Sequence, residues 1–150
     1  MKKLLLSAFV ICLAGTSIAQ ESPLWMRHCA LSPDGTTIAF TYKGDIYTVP
    51  STGGRATQIT TNPAFDNTPV WSADSKQIAF ASDRMGSLDV FVVSSEGGAP
   101  QRLTTHSGSE KPVAYKDNKH ILFTANIAPS AEDAGFPSGQ FQQVYEVAVT

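Results

Sequence analysis

Serine, histidine and aspartate side chains could together support nucleophilic catalysis in this chain of 150 residues. The histidines are His28, His106 and His120, and serines and aspartates occur along most of the sequence. A catalytic serine needs a base and an orienting acid within hydrogen-bond reach. The sequence contains no Gly-x-Ser-x-Gly segment, the sharp strand-to-helix turn that presents a nucleophilic serine. We therefore expect no catalytic residues in this chain.

Metal and cofactor sites are equally unsupported by residue spacing. His28 and His120 lie next to predicted strands without a second histidine at zinc-site spacing, and His106 is expected to be a solvated loop residue. Gly53-Gly54 and Gly97-Gly98 follow predicted strands, but no predicted helix follows either pair. This excludes dinucleotide- and phosphate-binding loops, which need the N-terminus of a helix. We predict no cofactor and no metal.

The aspartates recur instead at one position of an internal repeat. The stretch Ala30–Phe40 returns as Val70–Phe80 and again as Val113–Phe123. Recurrence at the repeat period argues for a structural task, because the copies fan apart and cannot converge on one reaction centre. We expect the shared position to close a turn in each copy, with Ser32 and Ser72 in the same role; its occupants are Asp34, Asp74 and Asp117.

The repeat period also predicts the fold. The repeated isoleucines Ile38, Ile78 and Ile121 are separated by 40 and then 43 residues, and about 40–45 residues is the length of a four-stranded propeller blade. We predict an all-β, partial β-propeller of about three blades at 28–65, 66–108 and 109–150, the third incomplete. The predicted strands are 37–41, 45–49, 55–61, 68–72, 77–82, 88–93, 101–105, 121–125 and 143–147.

Turn chemistry differs between the copies. Gly35 can supply a left-handed residue after a type I turn, and Ser75 and Asn118 hold the same position later. Because asparagine tolerates the left-handed region better than serine does, the second turn should be the most strained.

The connection between the two middle strands becomes longer from copy to copy, while the strands keep their pattern. In the third copy it becomes the insertion Asn126–Phe141, which is rich in Ala, Pro, Gly and Ser and has Phe136 and Phe141 as candidate anchors. Long connections in compact domains are functional or disordered, and both interpretations stay open here.

The N-terminus predicts export. Lys2 and Lys3 precede the apolar run Leu4–Ala14, and Ser17-Ile18-Ala19 is a cleavage site of the small-x-small type, so residues 1–19 read as a signal peptide. The run is too short to span a bilayer, so no stable membrane anchor is expected. Residues 20–27 form a lead-in whose Trp25 could pack on the domain.

The composition limits the classes of partner that the chain is expected to bind. The net charge is −2 and falls to about −4 once the two N-terminal lysines are removed, without a basic stripe for nucleic acid. Cys29 alone remains after cleavage, so no internal disulfide forms and we expect a small buried apolar residue. Asp83 and Arg84 could form a local surface ion pair worth about 0–1 kcal/mol.

These motifs resemble a known repeat. Leu31–Phe40, followed by Asp45-Ile46-Tyr47 and Gly53-Gly54, is similar to the PD40 or TolB-type propeller repeat, and Trp71–Asp74 and Ser82–Gly86 match it again. The resemblance covers roughly residues 28–150. The third copy departs from the pattern at Ala114 and Tyr115, where Trp-Ser is expected, and at Lys116, which stands in place of Pro.

A signal peptide leading directly into such blades resembles the start of an exported tricorn-type peptidase. That resemblance implies propellers that bind or channel peptides for a serine peptidase domain of the S41 type, whose catalytic residues would lie beyond Thr150. It implies peptides, or a protein partner, and the remaining blades as partners. The chain would be periplasmic or secreted, although tricorn proteins are often treated as cytoplasmic.

Two other classes remain open. One is a non-enzymatic, TolB-like module that binds a protein partner in the periplasm, and the other is the propeller of a prolyl-oligopeptidase-like hydrolase. Because closed propellers need about 4–8 blades, we expect a piece of a longer protein that folds poorly when expressed alone and has no peptidase activity.

Overall fold

A computed structural model describes residues 25–106, 108–126 and 142–149 of the chain. The predicted signal peptide at 1–19 lies outside the described residues, as do Phe136 and Phe141 of the insertion.

In the described residues, eleven antiparallel strands form three separate sheets, which confirms the predicted all-β blade architecture. The first sheet has the order β1-β2-β3-β4, the second β5-β6-β7-β8, and the third β9-β10-β11. The strands are β1 (Arg27–Leu31), β2 (Thr37–Tyr42), β3 (Asp45–Pro50), β4 (Thr57–Gln58), β5 (Asp66–Trp71), β6 (Gln77–Ser82), β7 (Asp89–Ser94), β8 (Gln101–Arg102), β9 (Lys111–Asp117), β10 (His120–Ala125) and β11 (Gln143–Ala148).

The central hairpin of every blade has the same register. A stacked aromatic pair faces across its two strands, with ring centroids 5.6–5.9 Å apart. Such cross-strand pairs fix the alignment of neighbouring strands. The connection between the paired strand ends contains two, six and 17 residues in the three blades, so the hairpin keeps its register while the connection lengthens. The pairs are Phe40–Tyr47, Phe80–Phe91 and Phe123–Tyr145.

The fourth strands of the first two blades, β4 and β8, are much shorter than the sequence predicts. The expected strand 55–61 is reduced to Thr57–Gln58. Beyond it, the backbone N–H groups of Ile59 and Thr60 both donate to the carbonyl of Ile46, at 2.8 and 3.3 Å. Two donors on one carbonyl interrupt the alternating antiparallel ladder, so regular pairing stops there.

A repeated irregularity in the first strand of a blade, seen in β1 and β5, was not predicted from the sequence. His28 in β1 and Thr68 in β5 have positive φ angles of 50° and 54°, and the register with the neighbouring strand shifts beside each of them. A bulge of this kind bends the strand and increases its twist. Its recurrence at a spacing of 40 residues shows that it is a feature of the repeat.

Two apolar clusters hold the blades against each other. The first joins side chains of blades one and two, and the second joins blades two and three. Burial of this apolar surface stabilises the stack at roughly 25 cal/mol per Å². The first cluster contains Ala39, Ile46, Ile59, Trp71, Ile78, Phe80, Phe91 and Val93, and the second contains Ala79, Val90, Ile121, Phe123 and Ala125.

Two burial predictions near the N-terminus are wrong. Cys29 is exposed, because β1 is an edge strand in which four of the five residues face solvent. Trp25 is 73% exposed and contacts the Arg27 guanidinium, 5.2 Å from its ring centroid, instead of packing on the domain.

The described residues contain no helix, in agreement with the sequence. Accordingly, this part of the chain has no helix of the length and apolarity required to cross a membrane.

Candidate functional site

Serine and aspartate close the turn between the first two strands of a blade, as predicted. The hydroxyl of Ser32 donates to Asp34 Oδ1 at 2.6 Å, and the same carboxylate oxygen accepts the N–H of Thr36 at 2.9 Å. In the second blade Ser72 donates to Asp74 in the same way, at 2.7 Å. These bonds favour the ionised carboxylate, so the serine lowers the pKa of Asp34 and of Asp74 below the ordinary value.

The third turn is shorter than the other two. Asp117 and His120 are paired across it, and Asp117 Oδ1 accepts the N–H groups of Lys119 and His120 at 2.7 and 2.8 Å. The hydrogen bond from the His120 side chain lowers the pKa of Asp117. The predicted left-handed residue is found at Ser75, with φ of 60°, but Asn118 is not among the described positive-φ residues, so that expectation was wrong.

The turns of the first two blades are each also bonded to the following blade. The N–H of Asp34 donates to Ser75 Oγ at 3.3 Å, and the N–H of Asp74 donates to Asn118 Oδ1 at 3.1 Å. Ser75 and Asn118, which occupy the repeat position of Gly35, therefore cap the turn of the preceding blade. These bonds, together with the bond from Trp71 Nε1 to the Ala30 carbonyl at 3.0 Å, align neighbouring blades at this end.

A polar cleft of about 340 Å³ opens between the first two blades at the same end. Its wall carries charges of both signs, the cation of Arg55 and the carboxylates of Asp34 and Glu96, together with hydroxyl groups and Trp71. Arg55 forms no ion pair with any residue in the described ranges. The remaining lining residues are Ser32, Thr37, Thr48, Val49, Pro50, Thr57, Ser75 and Ser95.

The sequence did not single out this cleft. Arg55 follows the Gly-Gly turn of the first blade, and Glu96 precedes the Gly-Gly turn of the second. Neither residue belongs to a catalytic motif. Their common cleft depends on how far apart the blades stand, which the repeat pattern does not specify.

The three histidines lie apart, and each has different surroundings in the described residues. His120 Nδ1 lies 3.0 Å from Asp117, His106 Nδ1 accepts the N–H of Gly108 at 3.0 Å, and His28 is exposed on β1. Across residues 25–106, 108–126 and 142–149, no serine hydroxyl and no thiol bonds to an imidazole ring. The geometry therefore assembles no nucleophile–base pair in this part of the chain.

The expected Asp83–Arg84 ion pair is not formed. Arg84 NH2 binds both carboxylate oxygens of Asp66, at 2.9 and 3.0 Å, and both side chains are largely buried. Asp83 instead accepts the N–H of Phe65 at 2.7 Å. The guanidinium also lies 4.6 Å from the ring centroid of Phe91, so Arg84 links the start of β5 to β7 within the second blade and is no isolated surface charge.

No group of three or more His, Cys, Asp or Glu side chains in the described segments is arranged to hold a metal ion. What this end of the molecule offers is a fixed set of donors, acceptors and charges between two blades, which suits binding.

Residues 23–150 match the family of tricorn protease N-terminal beta propeller domains. The chain belongs to this family. Across 77 residues, or 51% of the chain, it is 39% identical to "Tricorn protease homolog 1" of Streptomyces coelicolor, of which it spans 7%.

Solved structures share the tricorn-type propeller fold. The TolB structure from Acinetobacter baumannii aligns over 81% of this chain and 29% of its own, with a TM-score of 0.63 and 22% identity. The crystal structure of the tricorn protease aligns over 70% of this chain and 11% of its own, with a TM-score of 0.54 and 19% identity. The tricorn-type propeller described here therefore spans a minor part of each of these proteins.

Proposed function

We propose that this chain is the non-catalytic N-terminal propeller of an exported, tricorn-like serine peptidase, in which it binds or gates peptides for a catalytic domain outside these 150 residues. Residues 1–19 would act as the signal peptide and 20–27 as the lead-in, and the blades would comprise 28–65, 66–108 and 109–150. The parent protein would be periplasmic or secreted.

The observation that carries this proposal is the cleft between the first two blades. Arg55 stands on its wall without an ionic partner among the described residues, and the carboxylates of Asp34 and Glu96 line the same space. A peptide offers both signs of charge and backbone donors and acceptors, so it matches such a wall better than an apolar ligand does. Family membership supplies the context, since the family is named for a protease.

Binding is tested in the complete protein with fluorescently labelled peptides, measured by anisotropy. Replacing Arg55 by Gln should weaken peptide binding by about tenfold, the value of one lost charge-assisted hydrogen bond. Lys111→Gln is the matched control, because it removes an exposed cation from the first residue of β9, remote from the cleft. Equal affinities for both variants and the unmodified protein would contradict the proposal.

A second candidate is a TolB-like module that binds a protein partner without enzymatic activity, and the likeness to the TolB fold favours it. A third is the propeller of a prolyl-oligopeptidase-like hydrolase. The coding sequence beyond Thr150 separates the three. An S41-type domain supports the tricorn-like peptidase, further blades followed by a stop support the binding module, and a Gly-x-Ser-x-Gly elbow supports the hydrolase.

A further inference from the structure

Each junction between blades contains a pair of carboxyl groups at equivalent repeat positions. Asp45 and Asp66 form the first pair, and Asp89 and Glu110, each 44 residues later, form the second. Asp66, Asp89 and Glu110 are no more than 1% exposed, while Asp45 is half-buried. Two carboxylates close together in a site of low polarity repel each other, so both cannot remain ionised without compensation.

In each junction one arginine forms an ion pair with one of the two carboxylates. The arginine occupies a different repeat position in the two junctions, and it binds the opposite carboxylate of the pair. In the first junction Arg84, from the connection after β6, binds Asp66. In the second junction Arg102, on β8, lies 2.8 Å from Asp89. The arginine has thus changed both its position in the repeat and the carboxylate that it neutralises.

The carboxyl group that forms no ion pair with an arginine is therefore a different one in the two junctions. Asp45 is the one left in the first, where it accepts hydrogen bonds from Gln58 at 3.0 Å and Thr60 at 3.3 Å. Glu110 is the one left in the second, where it is buried and its Oε2 has no hydrogen-bond partner among the described residues. The position equivalent to Arg84 falls at 127, and the sequence from 126 to 142 contains no Lys, Arg or His.

We propose that Glu110, and more weakly Asp45, keeps a proton in the folded chain at mildly acidic pH and releases it as the pH rises, so that each blade junction loosens with rising pH. The junction between the second and third blades is the more sensitive of the two, because its unpaired carboxyl group is the more deeply buried.

The electrostatic surroundings agree with this assignment. Burial is the largest influence on Glu110 and raises its pKa from 4.5, and the neighbouring Asp89 carboxylate raises it further. The hydrogen bond with Thr104 and the electrostatic influence of His106 and Arg102 act in the opposite direction without cancelling the effect. For Asp45, burial and the charge of Asp66 raise the pKa above 3.8 against the bonds from Thr60 and Gln58 and the charge of Arg84.

The sign of the effect follows from linkage. A group whose pKa is raised by folding stabilises the folded junction fully below its unfolded pKa, and this contribution is lost as the pH rises through the folded value. The relevant window for Glu110 thus begins near pH 4.5 and extends upward. Each unit by which folding raises the pKa changes the opening equilibrium by up to about tenfold.

Hydrogen exchange in the complete protein, read by mass spectrometry, tests the proposal locally. The bond from the Glu110 N–H to the Leu88 carbonyl, at 2.7 Å, reports directly on the junction. After correction for intrinsic exchange rates, protection of this segment should fall by up to about tenfold per unit of pKa shift as the pH rises from 4.5 to 8. In Glu110→Gln it should stay constant and exceed the unmodified value at pH 8.

Protection that does not depend on pH in the unmodified protein, or an equal pH dependence in Glu110→Gln, would overturn the proposal. If Glu110→Gln does not fold, Asp45→Asn provides a second variant. It should remove the weaker pH dependence of exchange only in the segment around Ile46. Direct titration of the labelled Glu110 carboxyl by carbon NMR gives an independent measurement, and ionisation at or below pH 4.5 would also overturn it.

Discussion

The N–H of Asp34 donates to the side-chain oxygen of Ser75, 41 residues further along the chain. The next pair, Asp74 and Asn118, repeats this bond at a separation of 44 residues. A side chain in the turn of one blade thus caps the turn of the blade before it. Ser75 and Asn118, at the repeat position of Gly35, therefore align neighbouring blades, while the aspartates close the hairpins.

Replacement of Ser75 should test the cap that it provides for the first turn. Ser75→Ala removes the cap and keeps the unfavourable left-handed backbone, so we expect a loss of about 0.5–1 kcal/mol in the free energy of unfolding. Ser75→Asn should be neutral or stabilising, since asparagine tolerates φ of 60° and its Oδ1 can act as Asn118 Oδ1 does. Urea denaturation followed by circular dichroism measures both, and a larger loss for the asparagine variant would contradict this account.

Removal of Arg84 should be far more damaging than removal of an exposed cation. Arg84→Met leaves the Asp66 carboxylate buried without compensation, and breaking a buried pair on one side costs about 3–5 kcal/mol. Lys116→Met is the matched control, because its 2.8 Å pair with Glu146 is exposed and contributes at most about 1 kcal/mol. Thermal unfolding of the two variants should differ clearly, and similar melting temperatures would show that the Arg84 pair contributes little.

Tyr115 and Trp71 occupy equivalent positions but should respond oppositely to phenylalanine. Trp71→Phe leaves the Ala30 carbonyl without its indole donor and should cost about 2–3 kcal/mol, counting lost packing as well. Tyr115→Phe removes a hydroxyl that is buried without a hydrogen-bond partner among the described residues, so it should be neutral or stabilise by about 1 kcal/mol. Equilibrium unfolding compares them, and a marked loss in Tyr115→Phe would show that the hydroxyl has an undetected partner.

Acid should weaken the turns through their aspartates. Hydrogen bonding lowers the pKa of Asp34, Asp74 and Asp117 from 3.8, so their stabilising contribution is present above pH 3.8 and is lost as the pH falls through the lowered values. An Asp34→Asn variant should lose part of this acid sensitivity. The slope of the unfolding free energy against pH below 3.8 is the measurement, and an unchanged slope would argue against ionised turn carboxylates.

The repeat pattern predicted what depends on neighbours in sequence. Ser32 and Asp34 lie two residues apart, so their bond follows from turn chemistry alone. The central hairpins were also predicted closely, because strand alternation and aromatic pairing are local. The sequence even places Asp66 and Glu110 at equivalent positions, 44 residues apart.

Contacts between distant segments could not be predicted in the same way. Arg84 has an acid beside it in sequence, Asp83, yet it binds Asp66, which the fold brings closer in a suitable orientation. Cys29 is apolar enough for a core, but its burial depends on what covers the edge strand β1. The cleft around Arg55 likewise depends on the distance between two blades, which no spacing along the chain encodes.

The central hairpin keeps its stacked aromatic pair although its connection lengthens from two to six to 17 residues. The strand ends there tolerate added chain at little entropic expense, because closing a longer loop costs only about 0.6 kcal/mol per doubling. This shows how relatives could acquire new recognition elements at that end of a blade without redesigning the scaffold.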